Sequence, residues 1–545
     1  MSRTDSQAER APWLLLVVLT LAAGVVMAGI VLTAPSRLGL LLLLGGGALI
    51  AVWFGLRSPV LATTYFLLAT FFRLAVPTGT LPVDPFLIAF GGVVVSVWVW
   101  PRARRGPLRA VGVLEGTMAL YVLWNVASLL APHAYPAGAP LDPADFSDLR
   151  FVLIGTVMPF TMFLVGRRVF CKQSAIRLLL WLTVTASAYS AAVSIFQFHG
   201  PAWLVWPRYI LHNDFWPGRA VGVFNQPVVN GLVLIVGFLV AVLIVSHRNE
   251  PPSLRVVAAV VAAASAYGVF LTHTRAAWLS FALVVVIGVV FARGARRGFA
   301  LVAALMLLVV AANWSTFTSA DRSAGGVASS SELEDRWNTV ATSLWAVERE
   351  PVTGWGIGRF TAVNTYHHQQ WAPEIPWERG FGIPSHLDVL GIFVELGIVG
   401  LTLWLAVLGL IVAGLVRAGR LLPARGQYNK PYAVIVLLCI LAQVTTGLTV
   451  DLRFFDFSNM IVMLLAGSAI GTANRRTGGG ETADESLLSA PPRVTASPAG
   501  LRPASSRGSG AFCGSRRAPR RTAACRASSG RCSRRRCGVS GGSGT

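Results

Sequence analysis

Arg219, Arg275 and His386 are the residues whose types could do chemistry together. Guanidinium groups fork onto phosphate oxygens through paired N–H donors. An imidazole titrates near neutrality and can take a proton from a hydroxyl. Charge stabilisation on a departing diphosphate and a base for an incoming hydroxyl are the two requirements of glycosyl transfer from a lipid-linked diphosphate. Arg219 lies in GRAVGVFNQPVVNGLVL (218–234), where the amides of Gln226 and Asn230 flank a proline at a helix entry and could help hold an oxyanion. Arg275 lies in LTHTRAAWLSF (271–281), wedged between two apolar runs with scarcely any loop. His386 opens HLDVLGIFVELGIVG (386–400), in which Asp388 and Glu395 are seven residues apart and share one helical face. Taken singly, each has an ordinary explanation: a snorkelling arginine, an interfacial histidine, a helix-start carboxylate.

The elements that must position these residues are membrane helices. Of the 545 residues, 54% are hydrophobic and only 13% charged, against roughly 25% charged in soluble domains. That excludes a water-soluble enzyme, a secreted binder and a disordered scaffold. The net charge of +22 is not a nucleic-acid footprint. Half of it falls in residues 475–545, with 14 arginines against three acids. Much of the remainder lies in short loops between apolar runs, as the positive-inside rule requires. The six cysteines form no paired CxxC spacing, so no metal site is expected from them.

Runs long enough for a bilayer occur at about 13–34, 38–56, 60–77, 86–100, 112–131, 151–166, 178–197, 228–246, 256–271, 276–292, 299–313, 397–416, 431–450 and 457–474. The expected fold is therefore all-α, a polytopic membrane helix bundle of about 14 transmembrane helices. Alternating loop charge places both termini in the cytoplasm, with 1–12 as a cytoplasmic N-terminus and 13–474 as the membrane domain. The opposite loops include 132–150, 198–227, 314–385 and the tight turns at Thr272–Arg275 and Asp451–Arg453. The stretch 314–385 is too long for an idle connector. It reads as a partly helical extracytoplasmic lid, with a helix over Glu332–Arg349 stopped by Pro351, and a turn carrying Gly354, Gly356 and Gly358. Trp371, Pro373, Pro376 and Trp377 mark a compact aromatic loop after it. Residues 475–545 read as a disordered basic cytoplasmic tail.

In this order, GRAVGVFNQPVVNGL, LTHTRAAWL, RWNTVATSLWAVEREPVTGWGIGRF (336–360) and HLDVLGIFVELGIVG resemble the O-antigen ligase and O-antigen polymerase superfamily. The resemblance spans about 218–410, while the first 200 residues match only as apolar spans. It implies an inverting, metal-independent glycosyltransferase of the cytoplasmic (inner) membrane, needing no cofactor. Its expected partners are a polyprenyl-diphosphate-linked saccharide donor, a glycan or glycolipid acceptor and the lipid bilayer, with no nucleic acid. On this resemblance Arg219, Arg275 and Arg336 are donor diphosphate-binding, His386 activates the acceptor hydroxyl, and Gln226, Asn230, Asp388 and Glu395 are supporting residues. The competing expectation is a lipid-linked oligosaccharide flippase or another secondary transporter. Transporters gather their polar groups near the midplane, often in repeated halves, whereas these candidates collect at one surface.

Overall fold

The computed structural model describes residues 53, 58–75, 84–99, 112–138, 147–321, 326, 331–374 and 382–477. The expected spans at 13–34 and 38–56 (Trp53 apart), the loop residues Pro376 and Trp377 and nearly all of the expected tail lie outside the described residues. Among the described residues every regular element is helical. In chain order they are α1 (Pro59–Phe71), α2 (Pro85–Val99), α3 (Val113–Leu130), α4 (Asp148–Val169), α5 (Gln173–His199), α6 (Pro227–Ser246) and α7 (Pro252–Leu271). There follow α8 (Arg275–Phe291), α9 (Arg296–Ala312), α10 (Ser331–Arg349), α11 (Phe360–Tyr366), α12 (Asp388–Leu421), α13 (Lys430–Gly447) and α14 (Asp456–Thr477). Each expected run from residue 60 onward falls on a helix. Length and apolarity single out eight of them as able to cross a bilayer: α3 to α7 and α12 to α14. Helices α1 and α8 and the apolar part of α2 are shorter.

Local sequence explains where several helices begin. Proline stands in the first turn of α1, α6, α7 and α13, where its missing N–H is no loss. The Gln226 side chain accepts from the Val228 N–H and caps α6. Helix α6 is apolar all round and almost wholly buried, the mark of a central post rather than an amphipathic surface helix. It packs against α5, α7 and α13.

The tightest helix pair is α4 against α14. Gly467 and Gly471 form a GxxxG stripe facing Gly166, and a Cβ at Gly467 would overlap the Phe163 carbonyl. The backbones approach closely enough for the Ser468 hydroxyl to donate to the Phe170 carbonyl at 2.6 Å.

Helix α12 begins nine residues earlier than the apolar run at 397–416 and is broken inside. Gly397 adopts φ 64°, ψ −170°, and a side chain there would overlap the Val352 carbonyl. The break leaves carbonyls without their helical partners, and the chain after α10 supplies replacements. Trp355 N–H donates to Val394 O at 2.8 Å, Gly356 N–H to Glu395 O at 2.9 Å, and Ile398 N–H to Pro351 O at 2.8 Å. The Trp124 indole takes the Leu396 carbonyl at 2.9 Å. Non-helical backbone at this depth is tolerated only where protein satisfies it. The glycine turn expected at 354–358 is therefore stitched into the body of α12.

The α4–α14 contact makes the first testable point. Gly467→Leu must force the two backbones apart, an overpacking cost of about 1–3 kcal/mol or more. Membrane abundance and the monodisperse fraction on size-exclusion chromatography should both fall sharply. Wild-type values would show that α4 and α14 can separate without consequence.

Candidate active site

Arg219 and Arg275 lie on two loops joined by hydrogen bonds. Ala220 N–H donates to Leu271 O at 2.9 Å, and the His273 Nδ1 contacts Gly218 O at 2.8 Å. His273 carries a left-handed backbone (φ 44°), so the three-residue link between α7 and α8 turns sharply enough for Arg275 to begin the next helix. The threonines on either side of His273, Thr272 and Thr274, are buried and bond the backbone of their own turn. The Trp278 indole donates to Val269 O and Phe270 O, closing the same corner.

The Arg219 segment is held from beneath. Asn230, fully buried on α6, donates to Ala220 O at 3.1 Å and to the Ser194 hydroxyl at 3.0 Å. Gln197 on α5 donates to the Arg219 carbonyl at 2.9 Å. The Arg219 guanidinium lies 5.2 Å from the Trp216 ring centroid, within cation–π range. Gln226 and Asn230 thus spend their amides on a helix cap and a loop brace. Arg219 and Arg275 are both half-buried.

His386, also half-buried, lies in the strap 382–387 between α11 and α12. That strap hangs from α11: Gly382 N–H donates to the Thr365 hydroxyl, and the Asn364 amide to Ile383 O. Two residues on, Asp388 accepts from the Leu452 N–H at 2.6 Å. One helical face down, Glu395 meets Arg453 at 2.7 Å and also accepts from the Phe360 N–H. Arg453 grips Asp451 as well, through Nε at 2.9 Å and Nη2 at 2.6 Å, and lies 5.0 Å from the Phe151 ring. Burial alone would lower the Arg453 pKa, but the charges of Asp451 and Glu395 hold it well above the usual arginine value. The shared face expected for Asp388 and Glu395 therefore addresses one turn, 451–453. Arg336 is on α10, half-buried, and α10 packs against α12.

Aromatic packing connects the two halves. Phe224, just after the Arg219 segment, packs on Phe71 at 5.5 Å and on Phe457 at 5.8 Å. Phe457 opens α14 directly after the Arg453 turn. Beside it Arg73 bridges Asp84 at 3.2 Å and Asp456 at 2.6 Å, and Arg150 joins Asp84 at 2.9 Å. Burial raises the Asp84 pKa, with Arg73 opposing the shift. The loops that carry Arg219, Arg275 and His386 consequently occupy one end of the bundle. The sequence reading missed Arg453, Asp451 and the Arg73 network as site-building groups. The available signal was that Arg73, Asp84, Arg150, Asp451, Arg453 and Asp456 all stand at or near the ends of apolar runs.

Residues 258–405 match the family model of O-antigen ligase. That match supports membership of the O-antigen ligase superfamily through this segment of the chain. No curated protein matches it. The O-antigen ligase segment runs from within α7 to just past the Gly397 break, so it contains Arg275, Arg336, His386, Asp388 and Glu395. Arg219 precedes it and Arg453 follows it. Together with the apolar helices, the match suggests a multi-pass membrane protein with glycosyl-transfer activity in general.

Arg453→Met removes the ion-pair partner of two buried carboxylates, Asp451 and Glu395. Losing one side of a buried pair costs about 3–5 kcal/mol, so the melting temperature in detergent should drop steeply. An unchanged melting temperature would mean that the turn at 451–453 does not hold α12 in place.

Proposed function

We propose that the protein transfers or polymerises a saccharide from a polyprenyl-diphosphate-linked donor onto a sugar hydroxyl at the outer face of the cytoplasmic membrane. Arg219, Arg275 and Arg336 neutralise the donor diphosphate. His386 takes the proton of the acceptor hydroxyl, whose oxygen attacks the anomeric carbon from the opposite face. The anomeric C–O bond to the diphosphate breaks, and polyprenyl diphosphate leaves with the electron pair, so the linkage inverts. No metal enters this scheme. The arginines perform the charge stabilisation that a divalent cation performs elsewhere.

The observation that carries the proposal is the joining of the Arg219 and Arg275 loops through Gly218–His273 and Ala220–Leu271, at the same end of the bundle as the strap holding His386. Two guanidinium groups fixed on mutually braced loops are preorganised for an anion and need little rearrangement when it arrives. In this reading 314–385 is an extracytoplasmic lid, the membrane domain has about 14 spans, and both termini are cytoplasmic. The supporting roles are positional: Gln226 and Asn230 set the Arg219 loop, while Asp388 and Glu395 set the approach to His386.

His386→Ala should lower glycan transfer by roughly 10²–10⁴-fold, and Arg275→Ala should abolish polymer or ligated product in cells, both at wild-type membrane abundance. Arg275→Lys, which keeps the charge but not the fork, should recover part of the activity. Normal product length and yield from the two alanine variants would end the proposal. The broken α12 favours a second reading, because transporters also build sites at interrupted helices. Deletion of the gene separates the two. Unextended lipid-linked saccharide on the outer leaflet supports the transferase, and accumulation on the inner leaflet supports a flippase.

A further inference from the structure

The opposite, arginine-rich end of the bundle carries a cavity that the proposed transfer reaction does not use. It has a volume of about 300 Å³ and opens between the start of α3, the end of α4, the last turns of α12 and the end of α14. One wall is apolar, built from Leu410, Ile470 and the backbone at Gly414. A Cβ at Gly414 would come within 2.8 Å of Ile470 Cδ1, so the space exists because small residues stand where side chains would fill it. The polar rim consists of Glu115, Arg167, Arg417 and Asn474. Arg167 is fixed by an ion pair with Glu115. Arg417 is exposed and has no ion-pair partner among the described residues.

We infer that this groove seats one anionic phospholipid, with its phosphate on Arg417 and Asn474 and the upper part of an acyl chain against Leu410 and Ile470. Three observations favour a lipid over a soluble anion. The rim cations outnumber the rim acid, giving charge complementarity to a phosphate diester. The wall below the cations is apolar, which a free phosphate would leave unused. The apolar residues around the mouth are turned outward: Val113 is 77% exposed and Leu421 45%, surface that only acyl chains cover in a membrane helix. The helix ends also place the site at headgroup depth, where a long arginine side chain can stay solvated while its stem lies along hydrocarbon.

The test uses the full-length protein in phosphatidylcholine nanodiscs, titrated with phosphatidylglycerol and read by native mass spectrometry. One phosphatidylglycerol should be retained per protein in preference to phosphatidylcholine. Arg417→Gln should weaken that preference roughly fivefold, the share of one cation near a headgroup. Ala413→Phe, which blocks the wall without altering charge, should abolish it. Arg420→Gln removes an exposed cation of the same helix end that does not line the cavity, and should leave binding unchanged. Size-exclusion profiles and melting temperatures matching wild type confirm that the variants are folded. Equal losses from Arg417→Gln and Arg420→Gln would overturn the inference in favour of diffuse surface charge. Retention of the lipid by Ala413→Phe, or full competition by glycerol phosphate, would overturn the acyl seat. None of these readouts depends on glycosyl transfer.

Discussion

The contact between Glu395 and Arg453 is the constraint around which the functional end of this protein is built. An isolated carboxylate or guanidinium in a membrane-embedded helix bundle is costly, so each fixes the position of the other. Glu395 also receives the Phe360 N–H, and Arg453 also grips Asp451. One ion pair thereby ties together the chain leaving α10, the first turns of α12 and the link between α13 and α14. A shift in any of these segments would leave a charge buried without its partner.

The break at Gly397 is the structural consequence. A continuous helix through this region would keep the carbonyls of Val394 and Glu395 for itself and leave the 351–356 turn without backbone partners. Opening the helix exchanges intrahelical bonds for others, since the carbonyls of Val394, Glu395 and Leu396 and the N–H of Ile398 find new partners. The strap 382–387 then has a defined anchor at each end, α11 on one side and the locked first turn of α12 on the other. His386 is held on a short tether between two fixed points, the condition that the general base proposed above would need.

The two ends of the bundle use charge differently. At the end carrying Arg219, Arg275 and His386, additional arginines are consumed internally: Arg73 and Arg150 by Asp84 and Asp456, Arg453 by Asp451 and Glu395. At the opposite end Arg177 is closed by Glu250 and Arg167 by Glu115, while Arg417 remains at the rim of the groove. Matched acids lower the cost of holding cations among apolar helices. Unmatched cations collect where anionic headgroups can meet them.

The sequence by itself determined the class of the protein and most of its helices, because lipid imposes a one-dimensional rule: a run of apolar residues long enough for the hydrocarbon becomes a helix. It also singled out Arg219, Arg275 and His386, since a polar group beside apolar runs is costly and therefore conspicuous, and the family resemblance added Arg336. It placed Asp388 and Glu395 on a common face from their spacing alone. What that face addresses was decided only in three dimensions. Arg453 is 58 residues from Glu395 and Asp456 is 383 from Arg73, and no periodicity links such pairs. Gly397 was one glycine in an apolar run until the carbonyl of Val352 was found against it. Local pattern reports what each segment must do toward lipid, while partner choice among buried charges and opened backbone depends on which segments meet.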